Sequence, residues 1–412
     1  MRSAGEPMIA RPAAGVPLLR LGFRPFFLGG AAFALVAVAL WAAAYLGLAP
    51  GFAPRGGWLA WHMHEMPFGF AVAVIAGFLL TAVQTWTGSP GLRGWSLAGL
   101  FALWLAARVG WLWPGLPWPV LVALELAFLP AVAVRVGWQL GRVGQRRNYP
   151  LVALVALVAL LVLLVLLVLL TLMDALALGA LAAGDFEWLR RAVWAALWLI
   201  GTVIAIVGGR VIPLFTASGL HLPAPIAPRR WLEALAHGGL PLLAGLALAG
   251  VGLAPDMRLA PLFLLLGIAH AVRLARWFRP GILRVPLLWS LHLAYAWLAA
   301  ALLALAAWHL GLPILGSAAL HLFTIGAIGG LILAMMARVS LGHTGRALDP
   351  PAVMPLAFGA IGLAAAVRAG LSGVAPRLAV AVSAALWCLG FGLFVYCYGP
   401  MLWRARVDGG PG

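Results

Sequence analysis

Twelve long apolar blocks divide the chain, near residues 25–47, 58–86, 92–109, 115–140, 150–173, 186–208, 232–253, 259–278, 286–309, 313–337, 352–370 and 377–402. A helix needs about 20 mostly apolar residues to cross a bilayer. Within the bilayer every backbone polar group must find its partner internally, so spans are helices or closed barrels. Blocks of this length predict an all-α fold: a polytopic integral membrane protein with about 12 transmembrane helices. Only 9% of residues are charged and the mean hydropathy is +1.06, against roughly 25% charged in a soluble domain. The blocks form a single transmembrane domain over 25–402, flanked by an N-terminal segment 1–24 and a tail 403–412.

Charge sets the expected orientation. The formal net charge is +17 and every one of the 27 basic residues is arginine. Nucleic-acid binding would need these on a water-facing domain, and the chain has none. Arginine in short loops marks the cytoplasmic side. With the N-terminus inside, twenty arginines fall on inner segments and seven on outer ones, which places both termini in the cytoplasm. No apolar core with a small-residue cleavage site precedes the first block, so we read no cleaved signal peptide. The run Leu151–Leu170 has no polar handle and is expected to face lipid or pack without chemistry. Cys388 and Cys397, nine residues apart on the last block, cannot pair within one helix and read as buried thiols, with an intermolecular bond or a soft copper ligand as the alternatives. C-x-x-C-H, G-x-x-x-x-G-K-[ST], H-E-x-x-H and C-x-x-C are all absent, which argues against covalent c-type haem, a P-loop ATPase and a zincin protease.

An ionisable residue inside a span is a functional candidate by default, and the histidines fall in two layers. Block two carries His62, His64, Glu65 and Met66, and block ten carries His321. His64 lies about 9 Å, and His321 about 12 Å, below the outer ends of their helices. Two imidazoles at one depth on two helices suit the opposite axial positions of a haem. Gly69, Gly326, Gly329 and Gly330 follow them, leaving room for a macrocycle or for close helix packing. His62 and His64 stand roughly 200° apart around a helix, so both cannot face one ligand. Imidazole with the Met66 thioether suits copper, although a single methionine is also ordinary packing. The inner layer holds His270 and His292, with His237 at the mouth of block seven. These fit a shared metal, a proton path, or hydrogen bonds to neighbours such as Tyr295. Glu125 reads as the only carboxylate deep in a block; it is protonated unless paired, as a relay or simply as a neutral hydrogen-bonded group.

Four stretches give the chain a resemblance to the NnrS family: G-F-R-P-F-F-L from Gly22, the long motif from Trp61 to Val83, G-G-R-V-I-P-L-F-T from Gly208, and the segment from His321 to Arg346. Met63 and Pro67 depart from the family pattern without removing a histidine or glutamate. The resemblance implies a haem- and copper-containing bacterial inner-membrane protein of about twelve spans, associated with denitrification and protection against nitric oxide. A non-covalent b-type haem, nitric oxide as a ligand and an electron donor are then the expected partners, alongside lipid. If the protein turns over, it is as a haem-dependent oxidoreductase acting on nitric oxide or a related species. A more distant likeness is to the catalytic subunit of haem-copper oxidases, which ligates haem from its second and tenth spans. The sixth block here has no histidine, so the binuclear centre of those enzymes is not expected. Two rival readings stay open: a transporter whose histidines couple protons, and a haem- or metal-handling protein. Motifs in blocks two and ten, rather than at matching places in two halves, count against the transporter.

Overall fold

The computed structural model describes residues 15–48, 51–143 and 151–410. Residues 1–14, 49–50, 144–150 (with Arg146 and Arg147) and 411–412 lie outside it, as do the side chains of residues 142–143 and 151–160. All regular structure among the described residues is helical. In chain order the helices are α1 (Phe23–Leu46), α2 (Gly57–Thr87), α3 (Trp95–Trp111), α4 (Trp118–Val143), α5 (Leu151–Ala183) and α6 (Phe186–Gly219). They continue with α7 (Arg230–Leu248), α8 (Ala260–Trp277), α9 (Pro286–His309), α10 (Gly316–His343), α11 (Met354–Leu371) and α12 (Pro376–Trp403).

Eleven helices or helical stretches among the described residues are long and apolar enough to cross a membrane. The exception is α3, whose 17 residues reach about 26 Å, short of the roughly 30 Å hydrocarbon core. The expectation of twelve spans therefore becomes eleven candidate spans and one shorter apolar helix. The other large departures are at α5 and α6, which run well past the sequence blocks to Ala183 and Gly219. A tight turn joins them: Gly184 takes φ +70°, a conformation glycine adopts without steric cost, and Asp185 caps α6 by accepting from the amides of Glu187 and Trp188.

From Leu161 onward the leucine-rich helix α5 has two faces. Leu163, Leu166, Leu167 and Leu170 are buried while Leu161, Val162, Val165 and Val168 are exposed, so part of that run packs the bundle rather than facing lipid. The most enclosed helices are α2 and α6, with 83% and 78% of their most apolar windows buried, against 39–44% for helices such as α1, α4 and α12. Both sites described below are built on α2.

Helices α2 and α10 each contain a wide π turn, over Glu65–Ala71 and Leu322–Gly329. In the first, the Val72 amide donates to the Pro67 carbonyl, five residues back. Pro67 has no amide hydrogen to give, and a local widening of the turn relieves its clash with the preceding turn. In the second, the Gly330 amide reaches the Ile325 carbonyl, again five residues back. Each π turn begins directly after a histidine, His64 and His321.

The first and last helices are neighbours. Helix α1 packs along α12, and buried Arg24 donates from Nη1 to the carbonyls of Leu402 and Arg404, each at 2.8 Å. The amide of Phe23 is capped by Thr81 Oγ1 at 2.9 Å.

Candidate functional site

A pocket opens between α1, α2, α6, α10, α11 and α12. Its walls are apolar, from side chains such as Trp41, Phe70, Ile200, Ile328 and Trp387, and its polar lining includes His62, His321, Thr324, Ser383 and Arg368. His62 stacks on Trp41 with ring centroids 4.7 Å apart, and its Nδ1 is buried with no hydrogen-bond partner. His321 Nδ1 lies 2.6 Å from the Ser317 carbonyl. Only an N–H can meet a carbonyl there, so the neutral ring keeps its Nε2 lone pair free. A metal-binding histidine characteristically ties its second nitrogen to a carbonyl in this way. Met66 lies on the same wall.

His64 lies elsewhere. The two-residue spacing from His62 turns it to the opposite side of α2, into a buried cluster of charged groups from four helices. His64 Nδ1 is 3.0 Å from Glu65 Oε1, and its Nε2 is 2.8 Å from Asp174 Oδ1 on α5. Arg108 on α3 forks between two carboxylates, with Nη1 donating to Glu65 Oε1 at 2.8 Å and Nη2 to Glu125 Oε2 on α4. Trp111 Nε1 donates to the other oxygen of Glu125. All five ionisable groups are buried. The expected pairing of His64 with His321 is thus not what the fold brings together: His62 and His321 share a pocket, and both nitrogens of His64 are occupied by carboxylates. Glu125 is not the only deep carboxylate either, since Glu65 and Asp174 accompany it.

Gly69 lets Arg108 come this close. A Cβ there would stand 2.2 Å from Arg108 Nη1 and 2.9 Å from the Phe33 ring, so the glycine serves a close approach of helix and guanidinium. Trp104 Nε1 donates to the Gly69 carbonyl at 2.9 Å, satisfying an acceptor in the π turn.

The inner layer is a second ion network. Arg273 on α8 donates from Nε to Glu233 Oε1 at 2.9 Å, from Nη2 to Glu233 Oε2, and from Nη1 to the Ala205 carbonyl and Tyr295 Oη at 2.8 and 2.7 Å. His237 Nε2 lies 3.2 Å from Arg273 Nη2 and 3.5 Å from Glu233 Oε2. His270 Nδ1 is 2.8 Å from Tyr295 Oη, and His292 Nδ1 donates to the Leu288 carbonyl at 2.9 Å. The Nε2 atoms of His270 and His292 are both buried without a partner. A Cβ at Gly209 would stand 1.9 Å from Arg273 Nη2, and the guanidinium is held by partners on three helices. Gly209→Ala is therefore expected to cost about 1–3 kcal/mol, as overpacking does, read as a lower thermal midpoint in detergent. An unchanged midpoint would mean that Arg273 is not fixed by this network.

The sequence reading did not single out Arg108, Asp174, Arg273, Glu233 or Arg368. Arg108 and Arg368 read as outer-loop charges and Arg273 as an inner one. Asp174 falls one residue beyond a block end. The available signal was the i,i+4 spacing of Glu233 and His237; Arg108 meets α2 only through tertiary contact.

The fold and site define a multi-pass helical membrane protein with a two-histidine pocket beside an intramembrane ion cluster. The chain belongs to the NnrS family: the family model described as NnrS protein matches residues 17–406, nearly the whole chain. A comparison with curated proteins finds no match.

Proposed function

We propose that the chain is a bacterial inner-membrane protein that holds a non-covalent haem in the His62–His321 pocket and acts in the response to nitric oxide. The observation that carries this reading is the pair of histidines on one apolar pocket, neither engaged by a carboxylate, with His321 fixed by a backbone carbonyl. Apolar walls suit the faces of a macrocycle, and Arg368 on the wall supplies a cation for its carboxylates. In this reading His62 and His321 would hold the group, and His64 belongs to the ion cluster. A His-ligated iron supplies a binding site for nitric oxide and a place for one electron. The residues around it orient the rings and exclude water: Trp41 holds the His62 plane, and Ser317 holds that of His321.

Copper, the second metal implied by the resemblance, has donors in the Met66 thioether beside His62 and in the free Nε2 atoms of His270 and His292. Both termini are assigned to the cytoplasm. Removing buried Arg24, Arg273 and Arg338 from the twenty inner arginines, and buried Arg108 from the seven outer ones, leaves the inner excess in place.

The test is an optical spectrum of purified protein, oxidised and dithionite-reduced, before and after nitric oxide, with iron and copper measured on the same sample. Sharp reduced bands with near-unit iron are expected, together with a spectral shift on adding nitric oxide. A featureless spectrum from cells supplied with haem would overturn the reading and leave proton-coupled transport in front.

A further inference from the structure

A groove walled by α1, α2, α5, α6 and α10 shares no lining residue with the histidine pocket. Its described walls carry apolar side chains and Gly208 alone. Each of the four family stretches contributes to it, with Phe27, Phe78, Val211 and Met335 coming one from each. Phe78, Val211 and Met335 are half-buried, so the groove is open on one side. At this depth in the spans the surroundings are hydrocarbon. The walls offer no donor or acceptor to a polar ring and no imidazole to a metal.

One turn of helix beyond these walls stands a charge. On α10, Met335 is followed three residues later by Arg338; on α6, Val211 is followed four residues later by Phe215. At these spacings each helix keeps the same face toward the groove. Arg338 Cζ lies 3.9 Å from the centroid of the Phe215 ring, so guanidinium and ring together close one end. Arg338 is buried and lies about 7.5 Å short of the end of α10 at His343. It makes no hydrogen bond or ion pair among the described residues, yet none of its nitrogens is sealed from the surface. The other buried arginines among the described residues, Arg24, Arg108 and Arg273, are held by carbonyls or carboxylates. An aromatic face offsets only part of the cost of a cation in a membrane domain. The position calls for an anion from outside the chain.

We propose that the groove is a lipid site, seating one acyl chain of an anionic phospholipid whose phosphate pairs with Arg338. The apolar walls match the tail and the unpaired cation matches the headgroup. Basic positions between spans, at the level of the headgroups, take anionic lipids in this way. A neutral isoprenoid quinone would fill the walls equally well but leave the charge unmatched. A free phosphate would match the charge but leave the groove empty. The proposal stands whether or not the histidine pocket holds haem.

The experiment is a native mass-spectrometry titration of delipidated full-length protein. The probes are dioleoyl phosphatidylglycerol, dioleoyl phosphatidylcholine (the same tails with a zwitterionic head), ubiquinone-10 and inorganic phosphate. Wild type is expected to hold one phosphatidylglycerol per chain about fivefold more tightly than phosphatidylcholine, near the contribution of one arginine at a membrane surface. Arg338→Gln should remove that preference, and Arg338→Lys should keep most of it. Val207→Phe, which fills the groove from α6, should weaken both phospholipids. Five results overturn the proposal: equal binding of the two phospholipids, a preference that survives Arg338→Gln, binding unchanged by Val207→Phe, phosphate bound as tightly as phosphatidylglycerol, or ubiquinone displacing it at equal concentration. If Arg338→Gln fails to accumulate, the wild-type preference and its response to Val207→Phe decide the question.

Discussion

Replacing Arg108 with alanine is expected to leave little or no folded protein in the membrane. The guanidinium joins Glu65 to Glu125, and both acids are buried. Breaking a buried pair by deleting one partner costs about 3–5 kcal/mol, because the remaining charge has no solvent to turn to. Here one deletion takes a donor from both Glu125 and Glu65, and it leaves a cavity where the side chain packed. A net stability of about 5–15 kcal/mol does not comfortably survive such a loss. Arg108→Lys should rescue only in part, since a single ammonium cannot fork between two carboxyls on different helices. Combining Arg108→Met with Glu125→Gln should cost less than the sum of the two, the mark of a coupled pair. The readouts are the yield of monodisperse protein and its thermal midpoint. Wild-type yield from Arg108→Ala would show that the cluster is not what joins α3 and α4 to α2.

Loss of haem on mutating His62 and His321 is the second large effect. Their double replacement by alanine removes the only imidazoles on the pocket wall among the described residues, so haem content should fall to background. Each single variant should keep one imidazole and hold haem more weakly, with a changed spectrum because one of the two holding residues is gone. His64→Gln should retain haem in whatever protein folds, since His64 faces away from the pocket. Its cost should instead appear as instability, through Asp174. Haem per folded protein, from absorbance and iron on size-selected material, separates the two effects. Wild-type occupancy in the double variant, or selective haem loss in well-folded His64→Gln, would return the ligand assignment to His64.

The contrast between His62 and His64 locates where sequence reasoning stops. Hydropathy placed all twelve helices to within a few residues at most ends, because a bilayer admits few alternatives to a helix of the right length. Depth along a helix was also legible, at 1.5 Å per residue. Depth alone, however, cannot choose between His62 and His64, which differ by about 3 Å, and the choice depends on azimuth. Their opposition around the helix was visible from spacing. Which of the two meets α10 depends on packing, and packing is carried by residues far apart in the chain. Asp174, 110 residues from His64, could not be assigned to it from spacing. It was also missed as an intramembrane residue, because an aspartate at the end of a leucine run reads as a boundary whereas α5 continues to Ala183. Arg108 was misread for a related reason: an arginine near the end of a short block looks like a loop charge, and only a partner on another helix makes it a core residue. Both π turns lay beyond the reach of hydropathy, although Pro67 marked the place of the first.

The clasp between Arg24 and the end of α12 has a consequence for biogenesis. The two partners are separated by 378 residues, so α1 waits for this neighbour until α12 has been made. At translation rates of about 5–20 residues per second, that interval is roughly 20–80 s. Throughout it, α1 has α2 beside it, with the Phe23 amide capped by Thr81, but lacks α12 on its other face and the carbonyls that hold Arg24. The nascent chain thus spends most of its synthesis as an open bundle, and a ribosome that stops before the twelfth helix leaves a product whose first helix is the exposed edge, the surface at which membrane quality control would take hold of it.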